Sequence, residues 1–452
     1  MDMKNSDAGA NIPVGLVKSV SVIGLGKLGS PMAAVFAKKG LKVVGVDLNK
    51  QFVEYLNAGK APVQEPQLQE FISEYRDNIS ATTSFCDAVL ASEVTFIIVP
   101  TPSGSDDFFI NDNVISAMKE IGSALRDKDD YHMVVVTSTV MPGSTGGPIR
   151  KALEEASGRK VGENLGLCYN PEFIALGSVV HDMLFPDMIL IGESDDKAGS
   201  LLESIYRQSI ESDAEFQRMN WVNAELCKIA VNTYVTTKIS YANMIADMCD
   251  RLPTADSDVV TRALGADSRI GKKYIKGATG YGGPCFPRDN KAFAALGRSI
   301  GARTDLAEAT DKINNYQVER LLELISAAAD DNVPVAVLGL SYKPDTAVVE
   351  ESHGVFLANA LAQQGRTVHT FDPRAWPNTL GENIKVFDNA ADAISGAEVV
   401  VFMTAWPDFK QIDFTTLPNA GDLKVIDPWH LFDSAETIGV KRHIRPGAIT
   451  VG

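Results

Sequence analysis

The cysteine at position 285 and its neighbours are the part of this chain best suited to covalent chemistry. Residues 280–289 read GYGGPCFPRD, so a glycine pair precedes Cys285 and two prolines stiffen its loop. Asp289 follows Cys285 by four residues, a spacing that puts two side chains on one face of a helix. A lone cysteine is most often a small buried apolar residue, but glycines, prolines and a charged pair do not describe a core. The pattern therefore favours a thiolate nucleophile with an acid placed to move protons.

A second group of residues, near the N-terminus, predicts the cofactor. Residues 20–23 form a predicted buried strand, and Gly24, Gly26 and Gly29 follow it in the spacing Gly-x-Gly-x-x-Gly. These glycines permit a tight turn and bring a pyrophosphate close to a helix N-terminus. Asp47 ends the next predicted strand, eighteen residues after Gly29, where an acid binds the adenosine ribose and repels a 2′-phosphate. The pattern predicts NAD rather than NADP; the alternative is a glycine-rich turn that only packs helix on strand. The predicted NAD-binding residues here are Gly24, Gly26, Lys27, Leu28, Gly29 and Asp47.

Composition narrows the class of protein. The chain has 452 residues, which is enough for two or three domains, and 58 acidic against 42 basic residues give a net charge of −16. Such an acidic surface argues against general nucleic-acid binding, because phosphates would be repelled. The five cysteines and six histidines are scattered, which predicts neither a disulfide framework nor a metal site. No apolar run is long enough to span a membrane. We expect a cytoplasmic enzyme without metal and without a membrane partner.

The pattern of elements predicts an α/β fold with two Rossmann-like, doubly wound domains joined by a central helical region. We expect a flexible tail at 1–16, an NAD-binding domain at 17–215, a central helical domain at 216–325 and a second Rossmann-like domain at 326–452. The segment 223–250 has neither glycine nor proline and predicts a long spine helix. In the predicted domain at 326–452, Gly339 and Asp372 follow strands in the same way as Gly24 and Asp47 do in the NAD-binding domain. The predicted strands are 19–23, 42–47, 94–99, 133–137, 165–169, 188–191, 333–338, 367–371, 399–403 and 425–426.

Eight motifs, in a characteristic order, carry a resemblance to a known family. The chain resembles the UDP-glucose/GDP-mannose dehydrogenase family over nearly its whole length. The cysteine motif with its upstream Lys-x-x-x-Asn is the most specific of these motifs. The motifs are VIGLGKLG (22–29), VPTPS (99–103), TSTVMPGST (137–145), NPEF (170–173), NAELCKIAVNTY (223–234), RIGKKYIKGATGYGGPCFPRD (269–289), LGLSYKPDT (338–346) and TAWPDF (404–409).

The resemblance implies oxidation of the C6 alcohol of a nucleotide sugar to a carboxylate, using two NAD. It implies that Asp289 serves as a base, that Cys285 forms a thiohemiacetal and then a thioester, and that Glu172 or Asp289 assists hydrolysis. Lys228 and Asn232 are four residues apart on the predicted spine helix and therefore share a face. They match the residues of the family that stabilise negative charge on the reacting oxygen.

The resemblance makes 216–325 a dimerisation domain and 326–452 a nucleotide-sugar-binding domain. It also assigns residues that bind the cofactor and the substrate. Thr139 matches a threonine near the nicotinamide and the reacting alcohol, and Thr101 matches a residue near the cofactor. The residues assigned to the nucleotide sugar, a UDP-sugar, are Glu172, Lys228, Asn232, Arg269, Tyr274, Lys276, Gly282, Tyr342 and Lys343.

The assembly that we expect is a homodimer or a higher homo-oligomer. The predicted spine helix is apolar on more than one face, and a second copy of the helix is a natural cover for the surface that the Rossmann domains leave open. Arg269 matches an arginine that reaches the substrate of the partner subunit. The apolar residues concerned are Leu226, Ile229, Val231, Val235, Ile239, Met244, Ile245 and Met248.

Several positions depart from the family pattern and leave the sugar open. Leu176 replaces an acid, Glu350 replaces an arginine near the cofactor, and residues 347–348 replace an Asp-Asp pair. The sequence around Cys285 is closer to the UDP-glucose branch, so we expect oxidation of UDP-glucose to UDP-glucuronate. The alternatives are a UDP-N-acetylhexosamine 6-dehydrogenase and a catalytically silent nucleotide-sugar-binding protein. A one-hydride hydroxyacid dehydrogenase would need neither Cys285 nor a second Rossmann domain.

Overall fold

The computed structural model describes residues 16–330, 332–433 and 435–448. Of the predicted flexible tail at 1–16, all but Leu16 lies outside the described residues. The chain divides into two compact units, residues 1–228 and 229–452, and each is described by itself.

The first unit is built on an eight-stranded sheet of the order β3-β2-β1-β4-β5-β6-β7-β8. Its first six strands have the 3-2-1-4-5-6 order of a Rossmann fold, and every neighbouring pair is parallel except β6 and β7. The predicted doubly wound sheet is therefore present, and it contains one antiparallel pair, β6 and β7. The strands are β1 (Ser19–Ile23), β2 (Lys42–Val46), β3 (Ile79–Thr82), β4 (Val94–Ile97), β5 (His132–Val136), β6 (Leu165–Tyr169), β7 (Met188–Glu193) and β8 (Glu215–Met219).

Helices cover both faces of this sheet, because alternate strand residues point to opposite sides. On β1, Val20 and Val22 join one hydrophobic cluster and Ile23 joins the other. The two edge strands, β3 and β8, were not predicted, since both are short, polar and partly exposed. The helices are α1 (Gly29–Lys38), α2 (Lys50–Asn57), α3 (Leu68–Glu74), α4 (Phe85–Leu90), α5 (Asp112–Ala124), α6 (Arg150–Ser157), α7 (Val179–Leu184) and α8 (Asp196–Ser209).

The predicted spine helix is present as α9 (Trp221–Asp250), which begins in the first unit and continues into the second. Three further helices complete the central region. They are α10 (Ser257–Ala266), α11 (Phe286–Ser299) and α12 (Asp305–Ala328).

A second Rossmann-like sheet follows, and the predicted fold class is thereby confirmed. Its order, β11-β10-β9-β12-β13-β14, repeats the 3-2-1-4-5-6 order, and all its neighbouring strands are parallel. Its elements are β9 (Val335–Leu338), α13 (His353–Gln363), β10 (Val368–Phe371), β11 (Ile384–Val386), α14 (Ala390–Ser395), β12 (Val399–Phe402), β13 (Lys424–Ile426) and β14 (Arg442–Ile444). Among the residues that the structure describes, no helix is both long and apolar enough to cross a bilayer.

Candidate functional site

The three glycines after β1 meet three different demands, and together they fit a dinucleotide pyrophosphate. Gly24 has φ +96°, and a Cβ added there would lie 2.2 Å from the carbonyl oxygen of Ile98. A Cβ on Gly29 would lie 1.7 Å from the carbonyl oxygen of Gly24, so α1 packs directly against the turn. A Cβ on Gly26 would meet no atom of the described residues within 4 Å, which leaves the space where a pyrophosphate approaches a Rossmann loop. Lys27 is exposed, while Leu28 packs against the first hydrophobic cluster.

Asp47 stands at the end of β2 and holds the glycine loop. Its Oδ2 accepts a hydrogen bond from the amide of Leu25 at 2.7 Å, and its Oδ1 accepts one from the amide of Asn49 at 2.8 Å. Each carboxylate oxygen can accept about two hydrogen bonds, so both retain capacity for ribose hydroxyls. The donor set therefore fits the adenosine half of NAD.

The structure brings Thr101 and Thr139 together beyond the carboxyl ends of β4 and β5. The Thr101 hydroxyl donates a hydrogen bond to the carbonyl oxygen of Thr139 at 2.7 Å. Between them, the Ser138 hydroxyl donates to the Val99 carbonyl and accepts from the Val99 amide. Both threonines therefore lie at the strand ends where ligands bind in open α/β sheets.

Glu172 and Lys228 also lie together in the first unit. The Lys228 ammonium donates a hydrogen bond to the main-chain carbonyl of Glu172 at 2.6 Å and lies 4.6 Å from the centre of the Phe173 ring. Burial raises the pKa of the Glu172 carboxyl to about 7, although the Tyr206 hydroxyl and the Lys228 charge act in the opposite direction. Glu172 can therefore exchange a proton near neutral pH. Leu176, where the family pattern has an acid, packs against the first hydrophobic cluster.

The second unit holds the cysteine, at the start of α11. Cys285 is exposed and precedes the first residue of the helix, where the helix dipole stabilises negative charge. Asp289 is fully buried, and its amide donates to the carbonyl of Cys285 at 2.8 Å. Its Oδ2 accepts from the Asn232 side-chain amide at 2.6 Å, and its Oδ1 accepts from Arg288 at 3.0 Å. Asn232 is thus hydrogen-bonded to Asp289, which lies one helical turn after Cys285.

Two buried asparagines that the sequence analysis missed clamp the loop before Cys285. Asn243 on α9 accepts from the amide of Ala278 at 2.8 Å and donates to the carbonyl of Thr279 at 3.0 Å. Asn314 on α12 accepts from the amide of Tyr281 at 2.7 Å and donates to its carbonyl at 3.1 Å. An asparagine inside an apolar helical pattern was the available signal, since buried amides need partners.

The glycines of the cysteine loop are required because another chain segment packs on them. A Cβ on Gly282 would lie 2.3 Å from the carbonyl oxygen of Glu351, and one on Gly283 would lie 2.5 Å from the Tyr342 ring. The amide of Gly283 donates to the carbonyl oxygen of Glu350 at 2.9 Å. The backbone of Glu350 therefore supports the cysteine loop, and Gly282 lies beside Tyr342.

The remaining residues assigned to the sugar nucleotide occupy more exposed positions. Tyr274 has φ +62° and lies edge-on to the ring of Phe286, next to the cysteine, with ring centres 6.3 Å apart. The Lys343 ammonium is 5.9 Å from the centre of the Tyr342 ring.

The basic residues before the cysteine loop are held differently from one another. Lys276 donates to the carbonyl oxygen of Trp429 at 2.9 Å. Arg269 is 87% exposed and pairs with Asp267 at 2.6 Å. Within one copy of the chain, Arg269 therefore stands on the surface.

The fold and the cofactor loop together define an NAD-binding oxidoreductase. Family models match three consecutive segments: the NAD binding domain of the UDP-glucose/GDP-mannose dehydrogenase family at residues 18–210, its central domain at 222–316 and its UDP binding domain at 336–434. The chain belongs to the UDP-glucose/GDP-mannose dehydrogenase family. The predicted cofactor, NAD, is confirmed.

Three relatives are similar to this chain over most of its length. It is 38% identical over 400 residues to the UDP-glucose 6-dehydrogenase AglM of Haloferax volcanii, covering 87% of this chain and 93% of that protein. It is 33% identical over 357 residues to the GDP-mannose 6-dehydrogenase of Pseudomonas aeruginosa, covering 78% and 80%. The structure of a UDP-glucose dehydrogenase from Pyrobaculum islandicum superposes with a TM-score of 0.87 at 34% identity, covering 97% of this chain and all of that one. All three relatives are named as dehydrogenases of a nucleotide sugar.

Proposed function

We propose that this protein oxidises the C6 alcohol of UDP-glucose to the carboxylate of UDP-glucuronate through a covalent adduct on Cys285. The observation that carries the proposal is the exposed thiol at the start of α11, in a loop clamped by Asn243 and Asn314. A nucleophile held on a rigid loop at a helix N-terminus suits attack on an aldehyde. A reaction that removed only one hydride would not need it.

The reaction consists of two oxidations at C6, with the addition of Cys285 between them, and a final hydrolysis. The C6 hydroxyl loses its proton, with Asp289 as base, and C6 loses a hydride to leave an aldehyde. The Cys285 sulfur adds to the aldehyde carbon, and loss of a second hydride converts the thiohemiacetal to a thioester. Water then displaces the thiol, with Glu172 as the proton acceptor. Bound NAD supplies the hydride acceptor at each oxidation. In total one alcohol and one water yield one carboxylate, two hydrides and three protons.

Lys228 and Asn232 stabilise the oxygen that becomes negative in the addition and hydrolysis steps. The two residues are one helical turn apart on α9, and both side chains are at least nine-tenths buried. Donors in such water-poor surroundings act strongly on developing charge, and removing one typically costs ~2.7–4 kcal/mol of transition-state stabilisation.

The choice of UDP-glucose rests on the relatives named as UDP-glucose dehydrogenases and on the residues around Cys285. The test is the yield of NADH per sugar with UDP-glucose, GDP-mannose and UDP-N-acetylglucosamine. We expect two NADH per UDP-glucose and much lower kcat/KM for the others. Equal or better use of either competitor would overturn the assignment of the sugar.

The covalent step has its own test. Cys285→Ser should lose steady-state turnover but still bind NAD, and Cys86→Ser, which changes another exposed cysteine, should retain turnover. Near-normal NADH production by Cys285→Ser would refute the covalent route.

The same proposal includes a homodimer with composite sites. Tyr241 and Met248 on α9 and Val259 on α10 are exposed apolar residues, each close to half-exposed. A second copy of the chain could bury these side chains. We propose that a second copy covers them and that Arg269 acts in the site of the partner subunit. Mixing Arg269→Ala with Cys285→Ser chains should then restore activity at one site per heterodimer. Absence of complementation in verified heterodimers would refute the shared site.

A further inference from the structure

Three oxygen atoms stand in a row inside the first unit, just beyond the carboxyl end of β6 and beside β7. The Tyr206 hydroxyl on α8 lies 2.5 Å from the Asn170 side-chain oxygen and 2.9 Å from Glu172 Oε1. Both distances are those of hydrogen bonds. Asn170 and Tyr206 are buried and have no role in the reaction steps given above.

When Glu172 is ionised, these three oxygen atoms share one hydrogen, although two hydrogen bonds would need two. The Asn170 side-chain nitrogen donates to the carbonyl of Leu190 at 2.9 Å, so its oxygen, an acceptor, is the atom that faces Tyr206. Burial raises the pKa of Tyr206 far above its usual value, so its hydroxyl stays neutral and carries one hydrogen. One hydrogen cannot serve both neighbours at once. With Glu172 protonated, Glu172 donates to Tyr206 and Tyr206 donates to Asn170, and every contact in the row is satisfied.

Apart from Tyr206, few polar groups act on the Glu172 carboxyl. Lys228 is the charged group that acts on Glu172, and its ammonium is bound to the Glu172 main-chain carbonyl. The other elements present apolar side chains, from α1, α7 and β7, to the pocket beside Glu172 and Tyr206. The Ser209 hydroxyl in that pocket is taken up by the Ile205 carbonyl.

We propose that Tyr206 is a positioning residue whose single hydroxyl hydrogen switches between Asn170 and Glu172, so that Glu172 can both hold and release a proton during turnover. When Glu172 is neutral, Tyr206 donates to Asn170. When Glu172 ionises, the hydroxyl rotates and donates to the carboxylate. The inference rests on the proposed function of Glu172 as the proton acceptor in thioester hydrolysis.

The switch makes two substitutions act in opposite directions. Tyr206→Phe removes the donor that the carboxylate needs, so the pKa of Glu172 should rise further. Asn170→Leu removes the competing acceptor, so the Tyr206 hydrogen is always available to Glu172 and the pKa should fall. A hydrogen bond to a charged group corresponds to a shift of about one pH unit, a tenfold change in the ionisation equilibrium.

The first measurement is an infrared pH titration of the enzyme without substrate. The carbonyl stretch of a protonated carboxyl that disappears in Glu172→Gln identifies the Glu172 signal. Its midpoint should lie about one unit higher in Tyr206→Phe and lower in Asn170→Leu. Both variants are first checked for NAD binding and for an unchanged circular dichroism spectrum. Midpoints that stay unchanged, or that move in the same direction in both variants, would overturn the switch.

The second measurement is the pH dependence of single-turnover thioester hydrolysis with UDP-glucose. Its acidic limb should move with the infrared midpoint, upward in Tyr206→Phe and downward in Asn170→Leu. If the infrared midpoints move as expected and the hydrolysis limb does not, the switch stands and the role of Glu172 in hydrolysis is refuted. A limb that moves in both variants as the midpoints do supports both assignments.

Discussion

The three glycines of the cofactor loop should fail in different ways when each is replaced by alanine. At Gly26 the added methyl group meets nothing within 4 Å in the part of the chain that the structure describes, so folding should be unaffected. At Gly29 the methyl carbon would be 1.7 Å from the carbonyl oxygen of Gly24, and either α1 or the turn must shift. Overpacking of this kind costs roughly 1–3 kcal/mol of the free energy of unfolding. Comparing Gly26→Ala with Gly29→Ala therefore distinguishes a loss of NAD binding from a loss of stability.

The cofactor affinity should show the complementary pattern. Alanine at Gly26 occupies the space that the pyrophosphate approaches, so the NAD affinity should fall at least tenfold, or about 1.4 kcal/mol. Gly29→Ala should lose both affinity and stability. Gly40→Ala is the matched control, because Gly40 lies after α1 and has φ +88°, and no described atom lies within 4 Å of the position of its Cβ. We expect it to lose about 1–2 kcal/mol of stability through backbone strain and to bind NAD normally.

Calorimetric NAD titration and the Tm of each variant provide the measurements, with about 2–4 °C of Tm expected per kcal/mol for a unit of this size. The reasoning fails if Gly26→Ala binds NAD as tightly as the parent protein. It fails equally if Gly29→Ala is as stable as Gly26→Ala, since the clash with Gly24 would then be absent.

Three further outcomes are expected. NAD should exceed NADP in kcat/KM by at least tenfold, and Asp47→Ser should shrink that ratio; equal use of both cofactors by the parent protein would contradict the role of Asp47. Lys228→Ala should lower kcat by ~10² or more with a smaller effect on substrate affinity, whereas a loss of affinity alone would make Lys228 a binding residue. Burial and the neighbouring Lys128 lower the pKa of His132 from 6.5 to about 3. Between these two pH values the unfolded chain binds a proton at His132 and the folded chain does not. The free energy of unfolding should therefore fall as the pH drops from 6.5 towards 3, by up to about 5 kcal/mol. In acid unfolding, His132→Gln should flatten that slope, and an unchanged slope would show that His132 is not its source.

The sequence alone was sufficient for features that depend on a short run of backbone. The spacing of Gly24, Gly26 and Gly29 and the position of Asp47 predicted the cofactor loop, because a tight turn and a helix N-terminus are local structures. The absence of glycine and proline from residues 223–250 predicted α9, since helix geometry is set by neighbouring residues. Cys285 and Asp289 were predicted to share one helical face for the same reason.

The tertiary structure decided what depends on residues far apart in the chain. The edge strands β3 and β8 form because they pair with β2 and β7, and their own polar sequences do not predict strands. Asn243 and Asn314 brace the cysteine loop from two helices that no local pattern relates to it. The raised pKa of Glu172 arises because burial withholds water from its carboxyl, which only the packed fold can do. A residue's type and spacing state what chemistry it can perform, whereas its protonation and its partners follow from the dielectric and hydrogen bonds that the assembled fold supplies.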